Sequence, residues 1–179
     1  MPTRQFWTTV LSMVVVFILQ VAIAPSLALS EVVVEISLCF VIVNALQVSQ
    51  SAATICAFIL GVLIDLASGS PLGVRAFSYS LVAYSINPLA GATMLDSLLA
   101  RYIALVVMVF SGELVIALLQ SIIGVDSDLT HSLLTRVLPG GLYDSVVGLF
   151  FLPLLRSKNN RDIRQPKSKK SLKETLPPV

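Results

Sequence analysis

The sequence predicts an all-α fold, a polytopic membrane helix bundle with about six transmembrane helices, and three observations carry that prediction. Of the 179 residues 56% are hydrophobic and only 12% charged, against about 25% charged in an ordinary soluble domain. Apolar stretches of about 20 residues alternate with turn formers along most of the chain. Nearly all the basic residues outside these stretches gather at the C-terminal end, eight of the twelve Lys and Arg lying between Arg156 and Lys173. A chain so poor in polar side chains cannot build a soluble shell, so lipid is the expected solvent for residues 1–155.

The first apolar run extends from about Phe6 to Ala24 and stops at Pro25. It is longer than the roughly 7–15 residues of a signal-peptide core, so a retained first helix is expected despite the small residues that follow. A second helix begins after Glu31 and Glu35 and reaches about Leu46. The third spans about Ser51 to Ala67. Ser68-Gly69-Ser70-Pro71 then combines a residue tolerant of positive φ with one lacking an N–H, which predicts a tight hairpin turn.

The fourth helix is expected from about Leu72 to Leu89, with Asn87-Pro88 at its fraying end, and the fifth and longest from about Leu98 to Ile123. Gly124 to Asp128 form a polar break. His131 and Arg136 follow in a stretch read as an interfacial helix. The sixth span runs from about Val137 to Leu155, its Pro139-Gly140-Gly141 tolerable where neighbouring helices satisfy the freed backbone groups.

Residues 156–179 are a separate segment, basic and expected to be largely disordered, because they combine Lys, Arg, Ser and Pro with few apolar side chains. Such a cluster next to a span predicts a cytoplasmic C-terminus resting on anionic lipid. Arg4 predicts the same for the N-terminus, and two ends on one side require an even number of spans. Arg75 and Arg136 then fall near outer ends of helices, against the positive-inside tendency, which an acidic partner for each would relieve.

Charges inside spans are costly, roughly 2.5–3.5 kcal/mol each at a helix centre, so Asp65, Arg75, Glu113 and Asp144 are the residues to explain. Asp65 and Arg75 each stand five residues from Ser70, so a tight hairpin brings them to equal depth. They then neutralise each other, either as a staple between helices three and four or as groups that engage a partner or a substrate. On the staple reading, exchanging the two charges should restore part of what either single change loses. Glu113 has no basic neighbour in sequence. Asp144 reaches Arg136 only over two turns, and a pairing of Glu113 with Asp144 requires a shared proton. Ala53, Ala57 and Gly61 lead to Asp65 at four-residue spacing, a pattern that permits close helix approach within the chain or a dimer face.

Enzyme chemistry finds no support in the residues: no nucleophile, base and acid at helpful spacing, no Gly-rich phosphate loop and no carboxylate pair in a polar context. The chain has one histidine, His131, and its cysteines, Cys39 and Cys56, lie in apolar runs, so neither a metal site nor a structural disulfide is expected. No cofactor is expected, and the basic tail, adjoining a span, reads as a membrane anchor and not as a nucleic-acid surface.

The run from Gly61 through Asp65, Ser68, Gly69, Pro71, Gly73 and Arg75 to Ala76, with Tyr84 beyond it, resembles the hallmark segment of the rod shape-determining protein MreD family. Outside these residues the likeness is one of length, hydropathy and layout. The resemblance implies a non-catalytic subunit of the bacterial cell-elongation complex in the cytoplasmic (inner) membrane. It implies pairing with MreC and help in coupling MreB filaments to the cell-wall synthase of RodA and its penicillin-binding transpeptidase. Gly61, Asp65, Ser68, Gly69, Pro71, Gly73, Arg75 and Tyr84 become candidate structural or partner-contact residues, with Glu113, Arg136 and Asp144 behind them. The family is also similar in architecture to substrate-binding subunits of energy-coupling-factor vitamin transporters, so such a subunit is the alternative.

Overall fold

The computed structural model describes residues 3–28, 33–90, 98–125 and 129–156. Among them there are no strands, and six helices of ten residues or more follow one another: α1 (Thr3–Ile18), α2 (Ile36–Ala45), α3 (Gln50–Ser68), α4 (Val74–Ala90), α5 (Leu98–Ile123) and, after the single turn α6 (Leu129–Ser132), α7 (Leu138–Arg156). The polar break at Asp126 and Asp128 and the tail beyond Arg156 lie outside the described residues, as does Glu31.

α1 does not stop at Pro25. It continues through a π turn, Leu19–Ile23, into a 3-10 turn, Ala24–Leu27, whose first positions take the proline where its missing N–H is not needed. A π turn, Leu133–Val137, likewise joins α6 to α7, so the stretch expected to be a separate interfacial helix leads directly into the last long one. α4 runs on through Pro88 to Ala90.

Among the described residues three stretches are long and apolar enough to cross a bilayer, Trp7–Leu27, Gln50–Ser68 and Leu99–Ile123. α2 differs from them. Its ten residues are all buried, as expected of a helix that is apolar all round, and it measures about 15 Å at 1.5 Å per residue. It forms the axis of the bundle, touched by α1, α3, α4, α5 and α7. Leu38 and Ile42 of α2 pack with Leu60 of α3, Tyr79 and Val82 of α4, and Leu105, Val109 and Ile116 of α5.

The tightest helix pair is α3 with α4. Ala53, Ala57, Gly61 and Asp65 of α3 are all buried, and a Cβ on Gly61 would collide with the backbone of Arg75 and Ala76. The small-residue stripe is therefore used within the chain at Gly61. α5 lies against α7, where Gly148 receives Leu105 and Gly141 receives Phe110.

Candidate functional site

At the α3–α4 hairpin the turn spans 69–73, with Gly69 at φ +66° ending α3 and Gly73 at φ +97° opening α4. It starts one residue later and ends two later than the expected Ser68–Pro71, and α4 begins at Val74 where Leu72 was expected. The cause is Asp65. From inside α3 its carboxylate, wholly buried, accepts the N–H of Gly73 at 2.9 Å, of Arg75 at 3.2 Å and of Ala76 at 3.5 Å, with the Ser70 hydroxyl at 3.2 Å. These are donors a helix start leaves unpaired, and they carry the positive end of the α4 dipole. Asp65 thus caps a helix other than its own.

The Asp65 and Arg75 charges approach to 3.6 Å, but Arg75 is closer to a different acid: its Nε donates to Glu35 Oε1 at 2.9 Å. Its Nη1 donates to the hydroxyls of Ser70 at 2.7 Å and Ser68 at 3.3 Å. The second Glu35 oxygen accepts the Tyr79 hydroxyl, which also meets Ser37 Oγ at 2.8 Å. Tyr79 stands one helical turn beyond Arg75, on the same face of α4. The guanidinium therefore ties together the turn, the end of α3 and the segment entering α2.

That segment, 33–35, is not helical, yet Val34 and Glu35 are buried. Its backbone groups are met by side chains from flanking helices. Gln20 of the α1 π turn donates to the Val34 carbonyl at 2.8 Å and accepts the Ser37 N–H at 3.1 Å, while Asp144 Oδ1 of α7 accepts the Glu35 N–H at 2.8 Å. Irregular backbone at membrane depth is tolerated when protein groups satisfy it in this way. One connected set of polar residues, Gln20, Glu35, Ser37, Asp65, Ser70, Arg75, Tyr79 and Asp144, so joins α1, α2, α3, α4 and α7 at one end of the bundle.

The family model described as rod shape-determining protein MreD matches residues 2–157. The chain belongs to the MreD family. No curated protein and no solved structure matches it, so the likeness to energy-coupling-factor transporter subunits receives no support.

In this MreD-family chain the candidate residues divide by environment. Gly61 and Asp65 are buried in the α3–α4 contact, Pro71 and Gly73 line the turn, and Ser68 and Gly69 are exposed at its tip. Tyr84 is also exposed, and contributes its carbonyl to Gln50 Nε2 at 3.1 Å. Arg136 does not pair with Asp144: its Nη1 donates to Gln120 Oε1 at 2.7 Å, and Asp144 is engaged by Glu35. Glu113 is buried at 5% exposure. The reading from sequence missed Glu35, Tyr79, Ser37 and Gln20. The need of Arg75 for an acid was legible, but its closer partner, Glu35, comes from the irregular segment before α2, some 40 residues away in sequence. Both cysteines are free thiols.

Proposed function

We propose that the chain is a non-catalytic scaffold subunit of the bacterial cell-elongation machinery, seated in the cytoplasmic membrane. In this reading it pairs with MreC and helps couple MreB filaments to the cell-wall synthase formed by RodA and its penicillin-binding transpeptidase. The observation that carries the reading is the MreD family match over residues 2–157, a family of rod shape-determining proteins.

The use made of the buried charges supports it. Asp65 caps α4, and Glu35 and Arg75 satisfy one another and the hairpin hydroxyls; each is committed to holding a helix or a turn. In this proposal the buried Gly61 and Asp65 and the half-buried Arg75 shape the hairpin, and its exposed tip at Ser68, Gly69 and Leu72 is surface offered to a partner. The basic tail rests on anionic lipid.

The test is purification of the tagged full-length protein from its own membranes in mild detergent. MreC should be recovered with it. Recovery of a folded, monodisperse protein with neither MreC nor any other member of the elongation complex would defeat the scaffold reading.

A further inference from the structure

Away from the polar network, a second buried polar side chain goes unmet. Asn44, in the last turn of α2, is 9% exposed. Its backbone carbonyl accepts the N–H groups of Gln47 and Val48, but among the described residues its side-chain amide takes part in no hydrogen bond. A carboxamide carries two N–H donors and an acceptor oxygen, and leaving them unpaired out of water is costly. Asn44 lines a groove of about 490 Å³ between α1, α2 and α7, within the roughly 300–1,000 Å³ of small-molecule sites.

The groove is graded from polar to apolar along both helices that form its walls. On α1, Thr8 and Ser12 stand at its mouth and Val15 and Leu19 deeper; on the α2 side, Asn44 and Gln47 stand at the mouth and Phe40 and Val43 deeper. The Ser12 hydroxyl is already spent on the Thr8 carbonyl at 2.7 Å, so Asn44 is left for an occupant. From Thr8 to Leu19 α1 rises about 16 Å, and 490 Å³ spread over that length averages about 30 Å² in section. A helix with its side chains is 10–12 Å across, roughly 80–110 Å² in section. A partner helix, or a helix of a second copy, is therefore too wide for the groove, whereas a single hydrocarbon chain can thread it. Its apolar depth offers water few of the two to four polar partners a buried water needs.

We propose that this groove is a lipid site, seating one acyl chain of an anionic phospholipid whose ester or phosphate oxygens accept the Asn44 side-chain N–H groups. The chain occupies the apolar depth between α1 and α2, and the headgroup lies at the mouth. Charge favours an anionic head. Arg4 precedes Thr8 by about one turn of α1, and Arg156 follows the groove residue Phe151 by five residues on α7. Both positions lie beyond the polar end of the groove, at the level a phosphate would take, and basic positions around a cleft between membrane helices select anionic headgroups.

The test uses phosphatidylglycerol carrying a photoactivatable diazirine in one acyl chain, as a minor component of phosphatidylcholine nanodiscs that hold the full-length protein, with labelled positions read by peptide mass spectrometry. Labelling should concentrate on Val15, Leu19, Phe40 and Val43. It should fall when unlabelled phosphatidylglycerol replaces part of the phosphatidylcholine, and not when an equal amount of phosphatidylethanolamine does. Asn44→Leu should lower groove labelling roughly fivefold, the loss expected for one net hydrogen bond. Val15→Trp, which fills the apolar part, should abolish groove labelling and leave the exposed Val14 and Ile18 labelled as before. Labelling no denser in the groove than at Val14 and Ile18 overturns the proposal, as does equal competition by phosphatidylethanolamine. A groove shielded from the probe by a second polypeptide overturns it too. Should a variant fail to fold, the wild-type pattern and its competition decide the matter alone.

Discussion

Asp65 and Arg75 are not equivalent halves of an ion pair. Asp65 mainly satisfies backbone N–H groups at the start of α4, and Arg75 mainly satisfies Glu35. Hydrogen bonds to a charged group contribute about 1.5–3 kcal/mol each, and breaking a buried charged set by removing one member costs about 3–5 kcal/mol. Asp65→Ala is therefore expected to lower the folded yield and melting temperature in detergent strongly, and Asp65→Asn, which keeps one acceptor, less so. The exchange Asp65→Arg with Arg75→Asp should not restore stability, because it points a cation at the positive end of a helix; this reverses the expectation drawn from equal spacing alone. Glu35→Gln and Arg75→Gln should be strongly non-additive, with a coupling of about 0.5–3 kcal/mol, measured by a double-mutant cycle on the melting temperature. Single variants of Asp65 and Arg75 that fold normally but no longer recover MreC would instead assign the two residues to an interface. The sequence exposed Arg75 as a charge in need of an acid. It could not identify Glu35, because that depends on how α2 lies against α4.

Helix positions were legible because a span must be apolar over about 20 residues and its breaks need Gly, Pro or polar side chains; the observed α3, α5 and α7 begin and end within a residue or so of expectation. The brevity of α2, expected to begin after Glu35 and reach about Leu46, was legible as well; what periodicity could not reveal was its burial by protein and the irregular segment before it, since an apolar run reads alike whether it is lipid-facing or buried by protein. Its stability depends on Gln20 and Asp144, more than a dozen residues away on other helices. The close approach at Gly61 was half legible: the small-residue stripe was visible, its partner helix was not. Three glycines now rank by what a methyl group would meet. At Gly61 the obstacle is backbone of Arg75 and Ala76, whereas at Gly148 it is a Leu105 methyl and at Gly141 the Phe110 ring, both side chains. Overpacking of this kind costs about 1–3 kcal/mol. Gly61→Ala should therefore fall at the upper end, with α3 and α4 forced apart, and Gly148→Ala at the lower end as Leu105 changes rotamer; melting temperatures of the two variants, measured side by side in one detergent, check the order.

For the molecule as a whole, the polar network and the groove at the opposite end fix the sense in which the helices run. Gln20, late in the first helical run, meets Val34 and Ser37 at the start of α2; Asp65 ends α3 where α4 begins; Asp144 lies early in α7 and meets Glu35. At the other end of α2, Asn44 and Gln47 share a groove of about 490 Å³ with Thr8 and Ser12 of α1 and Phe151 of α7. The start of α1 and the end of α7 are therefore at the same end of the bundle, away from the network. Arg4, Arg101 and the basic cluster from Arg156 onward belong by sequence to that end too, the distribution expected of a cytoplasmic face. Of the two cations that stood against the positive-inside tendency, Arg75 lies at the network end but is neutralised by Glu35 and Asp65, whereas Arg136 is held by the neutral Gln120 and gains no acidic partner there among the described residues. Each basic residue near an anionic leaflet adds about 1 kcal/mol, which makes the tail the strongest determinant. The expected topology has both termini in the cytoplasm and the 69–73 turn outside. A periplasm-dependent reporter inserted at Ser70 should be active, and the same reporter fused to either terminus should be silent. Activity at one terminus with silence at the other would require an odd number of spans, with α2 too short to cross and buried entirely within the bundle.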